Sequence, residues 1–136
     1  MENEKTKKNS GDENKPVILA IDDSPDILRT LHLLLKDGYK VHTLSEPGKL
    51  KDLLNDLTPD LFILDYSMPE LTGFELMPII RSFPEHKNTP VIYLTSIRSA
   101  DFYNLATRLG ACDYIIKPIN AEKLIDKIET HIRKGD

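Results

Sequence analysis

Apolar residues in this chain follow two alternating rhythms. VILAI (17–21), LFILD (61–65) and VIYLT (91–95) are continuous apolar runs with β-branched residues, the pattern of a strand covered on both faces. Between them apolar positions recur at steps of three and four, which marks one face of a helix. Ile27, Leu28, Leu31, Leu34 and Leu35 form the first such stripe, Leu50, Leu53, Leu54 and Leu57 the second. Phe102, Leu105, Ala106 and Leu109 form another, and the last helix is predicted from about Asn120 to Arg133. Shorter strands are predicted near Lys40–Leu44 and at YIIK (114–117).

The punctuation agrees with the rhythm. Ser24 followed by Pro25 is a helix start, because a cap oxygen precedes a residue whose missing N–H costs nothing in the first turn. Gly38 closes that helix. Thr72-Gly73-Phe74-Glu75 has the spacing of a capping box after the loop YSMPEL. Pro78 breaks the local rule: it removes one hydrogen bond and crowds the carbonyl of Phe74, which predicts a kink or a broken first turn. Five strand–helix units imply an α/β fold, a doubly wound five-stranded parallel sheet between two helix layers with right-handed crossovers.

The first 15 residues, MENEKTKKNSGDENK, hold no apolar side chain after Met1, and their lysines and acids balance. Such a segment cannot bury enough surface to offset its ordering entropy and is read as a flexible tail before a folded domain over 16–134. The whole chain has 136 residues, 40% hydrophobic and 29% charged, enough for one globular domain. A net charge of −4 gives no general basic surface for nucleic acid. The single cysteine, Cys112, excludes an internal disulfide framework and is read as a small buried residue near a strand. The four histidines (32, 42, 86, 131) lack paired ligand spacing and read as surface or edge residues. No apolar run approaches a membrane span and no signal core opens the chain, so the expectation is a soluble, cytoplasmic protein without membrane insertion.

Chemistry gathers at the strand ends, where an open α/β sheet binds its ligands. The first strand runs into Asp22 and Asp23, the third into Asp65, the fourth into Thr95 and the fifth into Lys117-Pro118. Three carboxylates in one small site repel one another unless a cation is present, and oxygen-only ligands favour Mg²⁺ (or Mn²⁺) over zinc or copper. Lys117 can pair with a carboxylate or with phosphate oxygens, and Thr95 can donate to a phosphoryl oxygen. An aspartate carboxylate can act as a nucleophile toward phosphorus. Each residue alone has a bland explanation as a cap, a turn former or a solvated charge. Their joint occurrence at four of five strand ends does not.

IDDSP, FILDYSMPELTGFEL, VIYLTS and GACDYIIKP occur here in the order and at the approximate spacing of the response regulator receiver domain of two-component signalling, the chemotaxis-regulator type included. The stretch from about Pro16 to Arg133 resembles that family. The resemblance implies a flavodoxin-like three-layer sandwich with strand order 2-1-3-4-5. It implies that Asp65 is the phosphoacceptor, and that Asp22, Asp23, Asp65 and the backbone carbonyl of Ser67 hold Mg²⁺. Lys117 would be the phosphate-pairing lysine, Thr95 the switch hydroxyl and Tyr114 the switch aromatic, with Pro69 and Gly73 shaping the loop after the phosphoacceptor. The implied partners are a sensor histidine kinase or phosphotransfer protein and, through the face made by the fourth helix, fifth strand and fifth helix, a downstream protein or output domain. No direct nucleic-acid contact is expected, and the state would be a monomer or a phosphorylation-dependent dimer. Such a domain catalyses only its own phosphorylation and slow dephosphorylation. Ile97 can neither orient nor activate a water beside the phosphoryl group, which predicts a long-lived phosphorylated state.

Other readings fit less well. A haloacid-dehalogenase-type phosphatase also uses a nucleophilic aspartate, but wants a second Asp where this chain has Ser67 and a cap insertion for which there is no room. Neither GxGxxG nor GxxxxGK[ST] occurs. A receiver acting by binding alone conflicts with the intact acid set and Lys117. The chain is either a complete single-domain regulator or the receiver of a larger one with an output domain.

Overall fold

A computed structural model describes residues 14–66, 68 and 72–135, with side chains through Ile132. The predicted 1–15 tail therefore lies almost wholly outside the described residues, as do Ser67 and Pro69. The strands are β1 (Val17–Ile21), β2 (Lys40–Leu44), β3 (Leu61–Asp65), β4 (Val91–Thr95) and β5 (Asp113–Ile116). The α-helices are α1 (Pro25–Leu35), α2 (Leu50–Leu53), α3 (Gly73–Arg81), α4 (Ala100–Arg108) and α5 (Ala121–Gly135). All strand pairs are parallel and the order is β2-β1-β3-β4-β5. The order reverses between β1 and β3, which opens a crevice at their carboxyl ends.

The continuous apolar runs are explained by two cores, one on each face of the sheet. Side chains alternate along a strand, so Leu19, Ile21, Phe62, Leu64, Val91 and Tyr93 pack with Leu50, Leu76, Ile80 and Phe102 of α2, α3 and α4. Ile18, Ala20, Leu61, Ile63, Ile92 and Leu94 pack on the other face with Leu28, Leu31 and Leu35 of α1 and Leu124 and Ile128 of α5. A polar residue inside any of these runs would leave an unpaired group in one core or the other.

Helix starts follow the sequence signals. The Ser24 side chain accepts from Ile27 N–H with Pro25 in the first turn, and Thr72 and Glu75 complete the capping box. Ser99 caps α4, and Asn120 Oδ1 accepts from Lys123 N–H at 3.0 Å at the start of α5. Two short 3-10 turns, Pro47–Lys49 and Pro84–His86, precede α2 and follow α3.

Several expectations change. The second helix is a single turn, because hydrogen bonds to residues three back (Asn55 to Asp52, Asp56 to Leu53) interrupt the four-back pattern before Leu57. Pro78 does not break the first turn of α3, which is helical from Gly73 and secured by its capping box. Cys112 is exposed, at the turn leading into β5; atoms around its thiol nevertheless desolvate it and push its pKa up to about 11.

His86 is the opposite case. It is buried, only 1% exposed, its ring edge-on to Phe62 at 5.2 Å. It sits in a 3-10 turn, with Phe83 as a second ring neighbour, and its Nδ1 meets Thr89 Oγ1 at 2.8 Å. Arg81 closes the lower end of the sheet. Its guanidinium donates to the carbonyls of His86 (2.8 Å), Thr89 (2.7 Å) and Gly110 (2.9 Å). Gly110 has φ of 110°, a left-handed conformation that glycine adopts at little cost in the turn between α4 and β5.

Candidate functional site

The upper end of the sheet carries the polar residues. Asp22 follows β1, Asp65 ends β3 and Thr95 ends β4; all three are buried, at 1%, 3% and 2% exposure. Asp23 beside them is exposed. Carboxylate oxygens of Asp22, Asp23 and Asp65 all lie within 4.8 Å of one another. Lys117, just past β5, reaches across β4 with its Nζ 3.1 Å from Asp65 Oδ1 and 3.7 Å from Asp22 Oδ2. Its own N–H donates to the Thr95 carbonyl at 2.8 Å, so the strand ladder aims the side chain.

Asp22 is held by backbone on both sides. Its N–H donates to Leu44 O, and its Oδ1 accepts from Ser24 N–H at 2.9 Å. Its other oxygen, Oδ2, is buried without a hydrogen-bond partner. Burial pushes the Asp22 carboxyl up to about 6, with the negative charge of Asp65 acting in the same direction, while the Ser24 bond and Lys117 oppose it. A buried lone pair, clustered hard oxygens and a repulsion that Lys117 offsets only in part are what a small divalent cation would satisfy. The cluster can hold a metal ion.

Gly73 ties the start of α3 to the end of β3 and to β4. Its N–H donates to the Tyr66 carbonyl at 2.9 Å, and its carbonyl accepts from the Tyr93 hydroxyl at 3.0 Å. A Cβ at residue 73 would stand 2.7 Å from Tyr93 Cε1 and 2.9 Å from Asp65 O. There is no room for a side chain at this position.

On the neighbouring face, Thr95 Oγ1 accepts from Ile97 N–H at 3.0 Å. Tyr114 is half-buried between two groups. Tyr103 stacks on its ring at 3.9 Å, and Lys127 Nζ lies 5.4 Å from the ring centroid. Lys127 is itself paired with Asp113 Oδ1 at 2.7 Å, and His131 meets the other Asp113 oxygen at 2.9 Å. Burial alone would raise the Asp113 pKa; the bonds from Lys127, His131 and the Tyr114 N–H outweigh it and hold the pKa low.

The structure therefore brings Asp22, Asp23, Asp65 and Lys117 together, while Thr95 ends β4 and Tyr114 lies within β5 against Tyr103 and Lys127. Sequence reasoning missed Tyr103 and the Asp113–Lys127–His131 cluster. A signal existed for the second, since Lys127 and His131 lie one helical turn apart. For Tyr103 there was none, because it stands next to the buried stripe of α4 rather than in it.

The family model of the response regulator receiver domain matches residues 18–129, and the chain belongs to that family. Protein RcaC of Microchaete diplosiphon is 36% identical over 118 residues, covering 86% of this chain and 18% of RcaC. The two-component response regulator ORR3 of rice is 34% identical over 110 residues, covering 79% of this chain and 83% of ORR3. The solved structure of the Vibrio cholerae chemotaxis protein CheY4 superposes with a TM-score of 0.82 at 30% identity, covering 86% of this chain and 98% of CheY4. The chain spans less than a third of the length of several curated relatives, RcaC among them. Among the described residues no helix is long and apolar enough to cross a membrane.

Proposed function

We propose that this receiver domain, residues 16–134, is a phosphorylation switch whose phosphoacceptor is Asp65. The observation that carries the reading is the Lys117 Nζ at 3.1 Å from Asp65 Oδ1 inside the acidic cluster. A carboxylate so paired is held in one orientation, with its charge partly offset. An Asp65 carboxylate oxygen attacks the phosphorus of a phosphohistidine on a sensor kinase or phosphotransfer protein. The P–O bond forms as the P–N bond breaks, and the imidazole keeps the electron pair and takes up a proton. Asp22, Asp23, Asp65 and the Ser67 carbonyl would hold Mg²⁺ (or Mn²⁺), which supplies charge neutralisation to the phosphoryl oxygens. Lys117 then pairs with a phosphoryl oxygen, and the Thr95 hydroxyl leaves Ile97 N–H to donate to another.

The consequence is a two-state change on the α4–β5–α5 face. Inward movement of Thr95 opens space into which Tyr114 turns, giving up its stack on Tyr103. That face then addresses a downstream protein or output domain. The large excess length of RcaC over the matched region supports the view that such a domain can belong to a longer regulator. The product is a signal rather than a turned-over metabolite, so the domain is a switch and not an enzyme in the ordinary sense.

The test is phosphoryl incorporation from a small-molecule acyl phosphate with Mg²⁺ present. Asp65→Asn is expected to abolish labelling. Labelling of that variant at the wild-type rate would overturn the assignment.

A further inference from the structure

A chain of aromatic rings leads from the end of β3 to the middle of β5. Tyr66, the residue after Asp65, meets Phe74 edge-on at 4.6 Å and Phe102 edge-on at 5.0 Å. Phe74, the residue after Gly73, stacks on Phe102 at 5.5 Å and meets Tyr93 edge-on at 5.2 Å. Tyr93 stands two places before Thr95 on β4, its ring 6.4 Å from that of Phe102. On the far side Phe102 meets Tyr103 at 6.0 Å, and Tyr103 carries the 3.9 Å stack on Tyr114. Phe102 is the ring at which the two halves join.

Phe102 belongs to the first turn of α4, where its N–H donates to Ser99 Oγ at 3.4 Å. It is buried, while Asp101, Asn104 and Leu105 around it are exposed. Its ring thus fits the head of α4 into a socket made by Tyr66, Phe74 and Tyr93. That socket stands on the three segments that carry Asp65, the start of α3 and Thr95. A close-packed core passes a displacement on rather than absorbing it, and edge-to-face pairs hold a preferred orientation.

We infer that Phe102 is a positioning residue of the switch, relaying the state of Asp65 to Tyr114 through the head of α4, in addition to the Thr95 hydroxyl. The inference rests on the reading of Asp65 as phosphoacceptor and adds a second route by which its charge reaches Tyr114. Phosphorylation shifts the end of β3 and Tyr66 with it. The Phe102 ring follows its socket, and Tyr103, the next residue, alters its stack on Tyr114. Tyr103 also receives the first route. Its hydroxyl donates to the Ile97 carbonyl at 3.5 Å, and the Ile97 N–H donates to Thr95 Oγ1. Both routes therefore meet on one ring, and each biases the same two-state element.

The experiment follows the Tyr114 resonance by fluorotyrosine NMR in the full chain, with and without a small-molecule phosphoryl donor and Mg²⁺, while labelling of Asp65 is measured in parallel. The coupling is the factor by which phosphorylation changes the ratio of the two Tyr114 conformers. Phe102→Leu is expected to remain labelled and to lower this factor about two- to tenfold, the worth of a lost ring pair. Phe102→Met, which keeps a flexible apolar plug in the socket, is expected to act in the same direction and serves if the leucine variant does not fold. Tyr66→Leu is expected to lower the factor similarly, and the double variant no further, because both substitutions break one contact. Thr95→Ala is expected to leave a residual Tyr114 response that Phe102→Leu then removes. Unchanged coupling in the Phe102 or Tyr66 variants overturns the relay while leaving phosphorylation of Asp65 intact. So do additive losses in the double variant, or complete loss of the response in Thr95→Ala alone. A wild-type chain that takes no label overturns the phosphoacceptor reading and the relay with it.

Discussion

The ring of Tyr114 lies flat against that of Tyr103, centroids 3.9 Å apart and planes within 9°. Stacked aromatic pairs contribute about 0.5–1.5 kcal/mol beyond their buried area, and this pair holds Tyr114 in its half-buried position. Tyr103→Ala is therefore expected to move the equilibrium toward the buried Tyr114 conformer without phosphorylation. Fluorotyrosine NMR of the Tyr114 resonance checks this. A signal unchanged from wild type would show that the stack does not restrain the ring.

The acidic cluster predicts a reversal of sign with metal. In chelator, Asp22→Asn is expected to stabilise the fold by about 1–3 kcal/mol, because it removes a buried charge whose pKa is raised to about 6. In millimolar Mg²⁺ the same variant is expected to gain nothing from the ion, while wild type is stabilised. Urea unfolding in both buffers measures the difference.

Gly73→Ala is expected to cost about 2–4 kcal/mol and to slow phosphorylation as well. The added Cβ meets Tyr93 Cε1 at 2.7 Å and, less able to give way, the Asp65 carbonyl at 2.9 Å. Tyr93→Phe, which removes only the hydroxyl bond to Gly73, is expected to cost about 1 kcal/mol. Thermal melts and labelling rates of the two variants separate the steric effect from the hydrogen bond.

His86 gives the pH prediction. Burial lowers its pKa below 6.5, Arg81 acting in the same direction and Glu85 and Asp60 opposing. Between the native value and 6.5 the unfolded chain binds a proton that the native chain does not. Stability is therefore full above pH 6.5 and falls as the pH drops below it. His86→Phe is expected to remove that component, so the stability of the variant relative to wild type should rise as the pH falls below 6.5 and level off above it. Denaturant midpoints across pH 5–8 read it directly.

Ile97→Glu is expected to shorten the life of phosphorylated Asp65, since a carboxylate beside the phosphoryl group can activate a water where Ile97 cannot. Ile97 is partly exposed and linked to Thr95 through its N–H, so the substitution leaves the core alone. An unchanged decay rate would remove the role assigned to this position.

How far the sequence could be read depended on whether a residue's role was local. Strand identity, helix caps and the strand-end acids follow from runs and neighbours, and they are found where the patterns of VILAI, LFILD and VIYLT put them. Strand order came from the resemblance to receivers, since crossover rules alone leave several orders open. The failures were nonlocal. His86 looked like a surface residue because the Phe62 ring that covers it is 24 positions away. Cys112 looked buried by residue type, yet the turn before β5 leaves it in the open. The stripe of leucines through Leu57 predicts a longer α2 because it survives a change from four-back to three-back hydrogen bonds.

The Arg81 fork at the lower end of the sheet has a mechanical meaning. By clamping the carbonyls of His86, Thr89 and Gly110, it anchors the chain entering β4 and the turn that α4 leaves through. The α4 helix is thus tied beyond its tail by Arg81, while at its head Ser99 caps the first turn and Phe102 is seated in the core. One side chain thus ties three separate turns together, and Arg81→Ala is expected to release the entry to β4 and the turn before β5 at once.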